Sequence, residues 1–402
     1  MRRVTPPPKP CFFPITINAS SHACHSLLVY HLKFHMPPIP FFRALLCIVF
    51  FTWTWNAIAS TNAPPAWQRI TLQNKASQTT YDFPVFANHD LHADLREIQE
   101  VIFIQHGIRR NGDTYFSTML GLLKKSGRAE KNMLIIAPEF PTTSDNGAAF
   151  HGMPLWESHG WSAGENAVVR ANGTYAISAF EVLDDLLTMV SDKSHFPQIR
   201  KITFAGHSAG AQLLQRYAIL NHEDEGLRAN GTEIQYIIAN PSSFLYYTAK
   251  RPDKNRFIDY EQAQCPNYDQ YRYGMQGMLP YAKNLSGMQL FQRAAARKII
   301  YLAGTKDNNP AHRLLDKSCA AEAQGSNRLE RALAYWHYEI SLAGQSRSIQ
   351  HQYFEVNGVA HQQEKMFNAV CAAKALFDVD TDASADAASC QKISPVPFIN
   401  DQ

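Results

Sequence analysis

The sequence predicts an α/β protein built on a doubly wound, mostly parallel sheet. Short apolar runs recur along the chain, amphipathic helical segments alternate with them, and the residues able to do chemistry fall just after the runs. The runs are Glu100–Gln105, Asn132–Ala137, Lys201–Ala205, Ile234–Ala239, Lys298–Ala303 and Gln352–Val356. They are apolar almost throughout instead of alternating, which predicts strands covered on both faces and therefore paired in parallel. Helical patterns are expected over 114–125, 175–192, 209–221, 325–342 and 362–376. Ahead of them, residues 68–89 read as two antiparallel strands (QRITLQ, then TTYDFPVFAN). Strand, helix and strand in succession imply right-handed crossovers, and ligands of such sheets sit beyond the carboxyl ends of the strands.

The fifth strand–helix junction carries the first chemical signal. Lys201–Ala205 is followed by Gly206-His207-Ser208-Ala209-Gly210 and the helical QLLQRYAIL. The pattern G-x-S-x-G between a strand and a helix is a nucleophile elbow: glycines permit the sharp turn and the serine hydroxyl stands above the sheet. The helix dipole behind it favours developing negative charge. The pattern arises by chance in roughly one chain in 10–20 of this length, so its placement carries the weight. A serine hydroxyl needs a base, and in such sheets the order is serine, acid, histidine. Asp307 follows Lys298–Ala303 and His361 follows Gln352–Val356, both in that order. Asp316 is the alternative acid. Two amides are expected to hold the oxyanion: that of Ala209 and, from the loop His106-Gly107-Ile108, that of Ile108, with Gly107 as the alternative. His106 and His207 are expected to wall the pocket instead of serving as bases, and Trp156 and Trp161 to help bind substrate. His151 and His159 read as polar loop residues. There is no H-E-x-x-H and no other metal constellation in the sequence, so neither metal nor cofactor is expected.

These stretches resemble the α/β-hydrolase superfamily across essentially all of residues 68–376, most closely a group of exported members. The carrying segments are HGIRRNGDTYF (106–116), GHSAGAQLLQRYA (206–218), ANPSSFLY (239–246), CPNYDQYRYG (265–274), SCAAEAQGSNRLERAL (318–333) and VNGVAHQQEKMF (356–367). Ala211 stands where a second glycine is usual. The resemblance implies hydrolysis through an acyl-enzyme with Ser208, Asp307 and His361 as triad and no cofactor. It leaves the substrate open, because the fold hosts many chemistries. A small-molecule or polymer-derived carboxylic ester is the first expectation. An amidase or peptidase, or a non-catalytic binding protein of the same fold, is the alternative.

Two insertions are expected to shape the pocket. Residues 141–174 hold Phe150, Trp156 and Trp161. Residues 241–290 hold seven of the chain's 17 tyrosines. These are either a hydrogen-bonding lid over the serine or a structural cluster whose hydroxyls satisfy buried partners.

The 402-residue chain has 38 Lys+Arg against 35 Asp+Glu. Five of the basic residues and no acidic one lie in residues 1–59, so the remainder has 33 against 35 and a charge of −2. Nucleic acid is therefore excluded as a partner, since its binding needs clustered cations. Residues 36–59 read as a signal peptide: Arg43, the apolar Ala44–Trp55, then Ala57-Ile58-Ala59. The run is shorter than the ~20 residues of a membrane span, so no stable span is expected after cleavage. Met36 is the expected start, with residues 1–35 a mis-assigned lead. Residues 60–402 are expected to form one domain, secreted or periplasmic, of open oligomeric state. Four cysteines follow the signal and allow three pairings. We expect Cys265–Cys319, pinning the cap, and Cys371–Cys390, closing a short C-terminal loop. Asn172, Asn230 and Asn284 begin glycosylation sequons.

Overall fold

A computed structural model describes residues 67–395 apart from 146, 170–175, 261–262, 345–347 and 380–387. The signal segment, Met36 and the Asn172 sequon lie outside the described residues.

The elements run β1 (Trp67–Gln73), β2 (Thr80–Ala87), β3 (Glu100–Gln105), α1 (Gly112–Lys125), β4 (Met133–Pro138), α2 (Ala179–Ser191), β5 (Lys201–His207), α3 (Ala209–Leu220) and α4 (Glu223–Ala229). They continue with β6 (Glu233–Ala239), β7 (Lys250–Asp253), β8 (Arg256–Asp259), α5 (Gly287–Ala295), β9 (Lys298–Gly304), α6 (Cys319–Glu322), α7 (Arg328–Ala343), β10 (His351–Val356), α8 (Gln363–Phe367), α9 (Val370–Phe377) and β11 (Cys390–Ile393). Nine strands form one sheet in the order β1-β2-β4-β3-β5-β6-β9-β10-β11, and β7 and β8 pair as a separate hairpin. The inner strands from β4 to β10 are parallel. Antiparallel pairs close both ends, β1–β2–β4 and β10–β11.

Burial follows the sequence pattern. β3 and β4 are buried at every position, whereas edge strand β1 alternates. Along β3, Val101 and Phe103 face the core that holds α2, α3 and α7, while Ile102 and Ile104 face the core that holds α1 and α9. Two-sided covering is the physical reason the strands read as unbroken apolar runs. Ser178 and Glu181 form a capping box that starts α2 at Ala179. The helix expected over 362–376 is instead two, because the buried Ala369 is extended and the Asn368 side chain donates to the Glu364 carbonyl at 2.8 Å.

Both expected disulfides are present, with Cα separations of 5.8 Å for Cys265–Cys319 and 5.9 Å for Cys371–Cys390. No helix among the described residues is long and apolar enough to cross a membrane.

Five of the seven tyrosines of the 241–290 segment make structural contacts. Tyr246 and Tyr247 are buried against Tyr335 and Tyr338 of α7, and the Tyr281 hydroxyl donates to Asp184. Tyr273 donates to Asp316, and Tyr271 to the Ala163 carbonyl. The cluster is structural: each of these rings fills core or interlayer space, and most of the hydroxyls find an internal acceptor, as burial of a phenol requires.

Candidate active site

The carboxyl ends of β5, β9 and β10 bring three side chains together. Ser208 stands between β5 and α3 at φ 60°, ψ −120°, a backbone conformation that costs a non-glycine residue free energy. Glycine is required on both sides. A Cβ on Gly206 would lie 2.7 Å from the Gly210 carbonyl carbon, and one on Gly210 would lie 2.5 Å from the carbonyl oxygens of Gln105 and His106. Ser208 occupies the N-cap position of α3, yet its side chain caps nothing. Its hydroxyl is instead 2.9 Å from His361 Nε2, across 153 residues of chain. His361 Nδ1 is 2.7 Å from Asp307 Oδ2. The serine and the carboxylate are nearly buried and the imidazole partly so.

The two loops behind this chain of contacts are fastened to each other. Lys306 N–H donates to the Val359 carbonyl at 2.9 Å, and Gly358 N–H to Thr305 Oγ1 at 2.9 Å. A side chain at Gly304 would collide with the Val359 carbonyl oxygen at 2.3 Å. Asn240, just past β6 at φ 49°, accepts from Gly304 N–H at 2.9 Å and donates to the Ala360 carbonyl at 3.4 Å.

Burial lowers the pKa of His361, with the Arg328 charge adding to it, while the hydrogen bond to Asp307 opposes both. The imidazole is thus a free base at neutral pH. A hydroxyl held to an unprotonated imidazole, itself oriented by a carboxylate, is the arrangement that makes serine nucleophilic.

The loop after β3 supplies the other side. His106 is fully buried; its Nε2 accepts the Phe140 amide at 3.1 Å and its Nδ1 donates to the Gly107 carbonyl at 2.9 Å. Burial lowers its pKa to about 4, so it is a neutral strut. The Arg110 amide donates to the same Gly107 carbonyl at 3.0 Å. In a trans peptide the N–H points opposite to the C=O, so pinning that carbonyl fixes the direction of the Ile108 amide. Neither the Ile108 nor the Ala209 amide has a protein acceptor among the described residues.

His207 is buried, meets the Tyr115 hydroxyl at 3.2 Å and sets its ring, tilted by 38°, 4.5 Å from that of His361. Trp156 and Trp161 are wholly buried; Trp156 donates to the Glu165 carbonyl at 2.8 Å, and Trp161 packs on Phe140 and His106. Neither indole offers surface to a ligand in this conformation; they back the loop that carries Gly107 and Ile108. Asp316 does not meet His361. Its Oδ2 takes the Tyr273 hydroxyl at 2.7 Å and its Oδ1 the Ser318 amide at 3.0 Å. Among the described residues no cluster of His, Cys, Asp or Glu is arranged to hold a metal ion.

Three residues here escaped the sequence analysis: Tyr115, Asn240 and Arg328. The last lies in the segment 318–333 already singled out, as a cation in the first turn of a helix, a place that disfavours positive charge.

No family model matches the chain, and no curated protein matches it. Solved structures do. A poly(aspartic acid) hydrolase-1 from Sphingomonas sp. KT-1 is 17% identical over 78% of this chain and 99% of its own, with a TM-score of 0.53. A poly(3-hydroxybutyrate) depolymerase from Bordetella parapertussis is 20% identical over 80% of this chain and 93% of its own, with a TM-score of 0.54. At these identities the likeness is one of fold, and the fold is that of the α/β-hydrolases.

Proposed function

We propose that this chain is an exported serine hydrolase that cleaves a carboxylic ester through an acyl-enzyme. The observation that carries the proposal is the continuous hydrogen-bonded chain Ser208–His361–Asp307, at 2.9 Å and 2.7 Å, on a strained elbow at the sheet's carboxyl edge.

His361 Nε2 takes the hydroxyl proton as Ser208 Oγ bonds to the ester carbonyl carbon. Asp307 holds the Nδ1–H tautomer and stabilises the imidazolium. The carbonyl oxygen gains the electron pair and is met by the Ala209 and Ile108 amides, with Gly107 as the alternative to Ile108. His361 then gives its proton to the departing alkoxide, and an acyl-Ser208 ester remains. Water repeats the sequence in reverse, with His361 as base and Ser208 as leaving group. Only side chains, amides and water take part, so no cofactor enters.

Labelling of the folded protein by a fluorophosphonate tests this reading. Labelling that vanishes in Ser208→Ala supports it; folded wild type that does not label favours a non-catalytic binding protein. A panel of small and polymer-derived esters against matched amides separates an esterase from an amidase or peptidase. Export is supported by the signal-like residues 36–59 and by the two disulfides, which need an oxidising compartment. N-terminal sequencing should find a mature single-domain protein beginning near Ser60.

A further inference from the structure

Arg328 opens α7 with its side chain almost wholly buried. Its Nε donates to Ser242 Oγ at 3.0 Å and its Nη2 to the Leu314 carbonyl at 2.7 Å. Its Nη1 donates to Asp307 Oδ1 at 3.3 Å and reaches His312 Nδ1 at 3.4 Å. Two costs attend this placement. A cation in the first turn opposes the helix dipole, and a buried cation is strongly unfavourable unless paired. Among the described residues the one carboxylate within ion-pair distance is Asp307, which is also the partner of His361 through its other oxygen. A single carboxylate therefore stands between the guanidinium and the imidazole.

We propose that Arg328 is a positioning residue of the hydrolytic site: it fixes the Asp307 carboxylate against His361, and its charge sets the lowest pH at which His361 serves as a base. The proposal rests on the serine hydrolase reading above. The carboxylate can rotate only by giving up its ion pair with Arg328 or its hydrogen bond with His361. A second cation formed on His361 shares its counter-ion with Arg328, so protonation of the resting imidazole is disfavoured.

Among the described residues four titratable groups face His361. Asp307 and Arg328 come from the loop after β9 and from α7. His312 comes from the same loop, with ring centroids 5.2 Å apart, and His207 comes from the end of β5. Burial, then the Arg328 charge, lowers the pKa of His312; burial keeps His207 far below the usual histidine range. Both are neutral at pH 7, which leaves Asp307 and Arg328 as the charges that His361 meets.

The test is the pH profile of kcat/KM for p-nitrophenyl acetate, with active sites counted by fluorophosphonate, in wild type, Arg328→Gln and Arg328→Lys. Loss of the charge should move the acid limb of Arg328→Gln up by about one pH unit. Its plateau kcat should fall about tenfold or more with KM nearly unchanged, because the carboxylate is no longer held. Arg328→Lys keeps the charge, so its limb should stay near that of wild type. Its single ammonium cannot span Asp307, Ser242 and Leu314, so its plateau should fall severalfold. A purely structural role would lower the number of active sites or the melting temperature and leave the limb in place. An Arg328→Gln limb coincident with wild type overturns the proposal. If that variant does not fold, an Arg328→Lys plateau equal to wild type overturns it. Wild type that neither hydrolyses nor labels removes the hydrolase reading and this proposal together; active wild type with an unmoved limb removes this proposal alone.

Discussion

His361 Nδ1 lies 2.7 Å from Asp307 Oδ2, although 54 residues separate them in the chain. The alternative acid, Asp316, is engaged by Tyr273, Ser318 and Arg272. Asp307→Asn keeps the shape but presents an amide to the imidazole, and the wrong tautomer follows. The loss in kcat should approach ~10⁴. Asp316→Asn should change turnover by less than about threefold, since its contacts are with Tyr273, Ser318 and Arg272 and not with His361. Steady-state rates on folded proteins check both, and a reversed pair of results would transfer the orienting role to Asp316.

Gly210 admits no side chain, because its would-be Cβ lies 2.5 Å from the Gln105 and His106 carbonyl oxygens. Backbone on both sides must move to accept alanine. Gly210→Ala should cost about 2 kcal/mol of stability. It should also lower kcat, because the displaced segment leads into Gly107 and Ile108. Chemical denaturation together with esterase rates tests the pair; a variant with wild-type turnover would show that the β3 loop takes no part in the reaction.

His351 is buried, with Nδ1 2.8 Å from Glu339 Oε2 and Nε2 2.8 Å from the Ala294 carbonyl oxygen. Burial alone would lower its pKa, but the Glu339 charge and both hydrogen bonds outweigh it and the value is raised. A raised folded value contributes stability that is fully present below the unfolded pKa of about 6.5 and is lost as pH rises through the folded value. The gap in melting temperature between wild type and His351→Gln should therefore be widest below the unfolded pKa of about 6.5 and shrink as pH rises above it. A gap that widens with pH would reverse the assignment.

The two disulfides close loops of different length, with sequence separations of 54 for Cys265–Cys319 and 19 for Cys371–Cys390. On chain entropy each should stabilise by about 3–4 kcal/mol, the longer by about 1 kcal/mol more. Paired Cys→Ser variants, compared by denaturant midpoint, give the order; a larger loss for Cys371/Cys390 would point to native-state packing as the dominant contribution.

Much of the frame was legible because the signals were local. Parallel strands buried on both faces must be apolar at successive positions, so β3, β4, β5, β6 and β9 announced themselves. Gly206 is dictated by a turn within five residues of chain, since its would-be Cβ meets Gly210, whereas Gly210 must clear the Gln105 and His106 carbonyls. Edge strand β11 was not legible. Its four residues are largely polar, and it is located by its pairing with β10 and by the Cys390 bond.

The sequence by itself determined the fold class, the elbow serine, and the order in which an acid and a histidine follow it at strand ends. Those features are written in spacing and hydrophobic period, which a linear chain carries explicitly. Tertiary structure alone decided which carboxylate meets His361. It also decided that Trp156 and Trp161 are sealed in the core, that the tyrosines pack on α7, and that Arg328 shares Asp307. Each of those outcomes is a contact or a burial set by residues tens to more than a hundred positions away. The hydrogen-bonding capacity of a side chain says only that it needs a partner, and the packing of helices against the sheet chooses which one it meets.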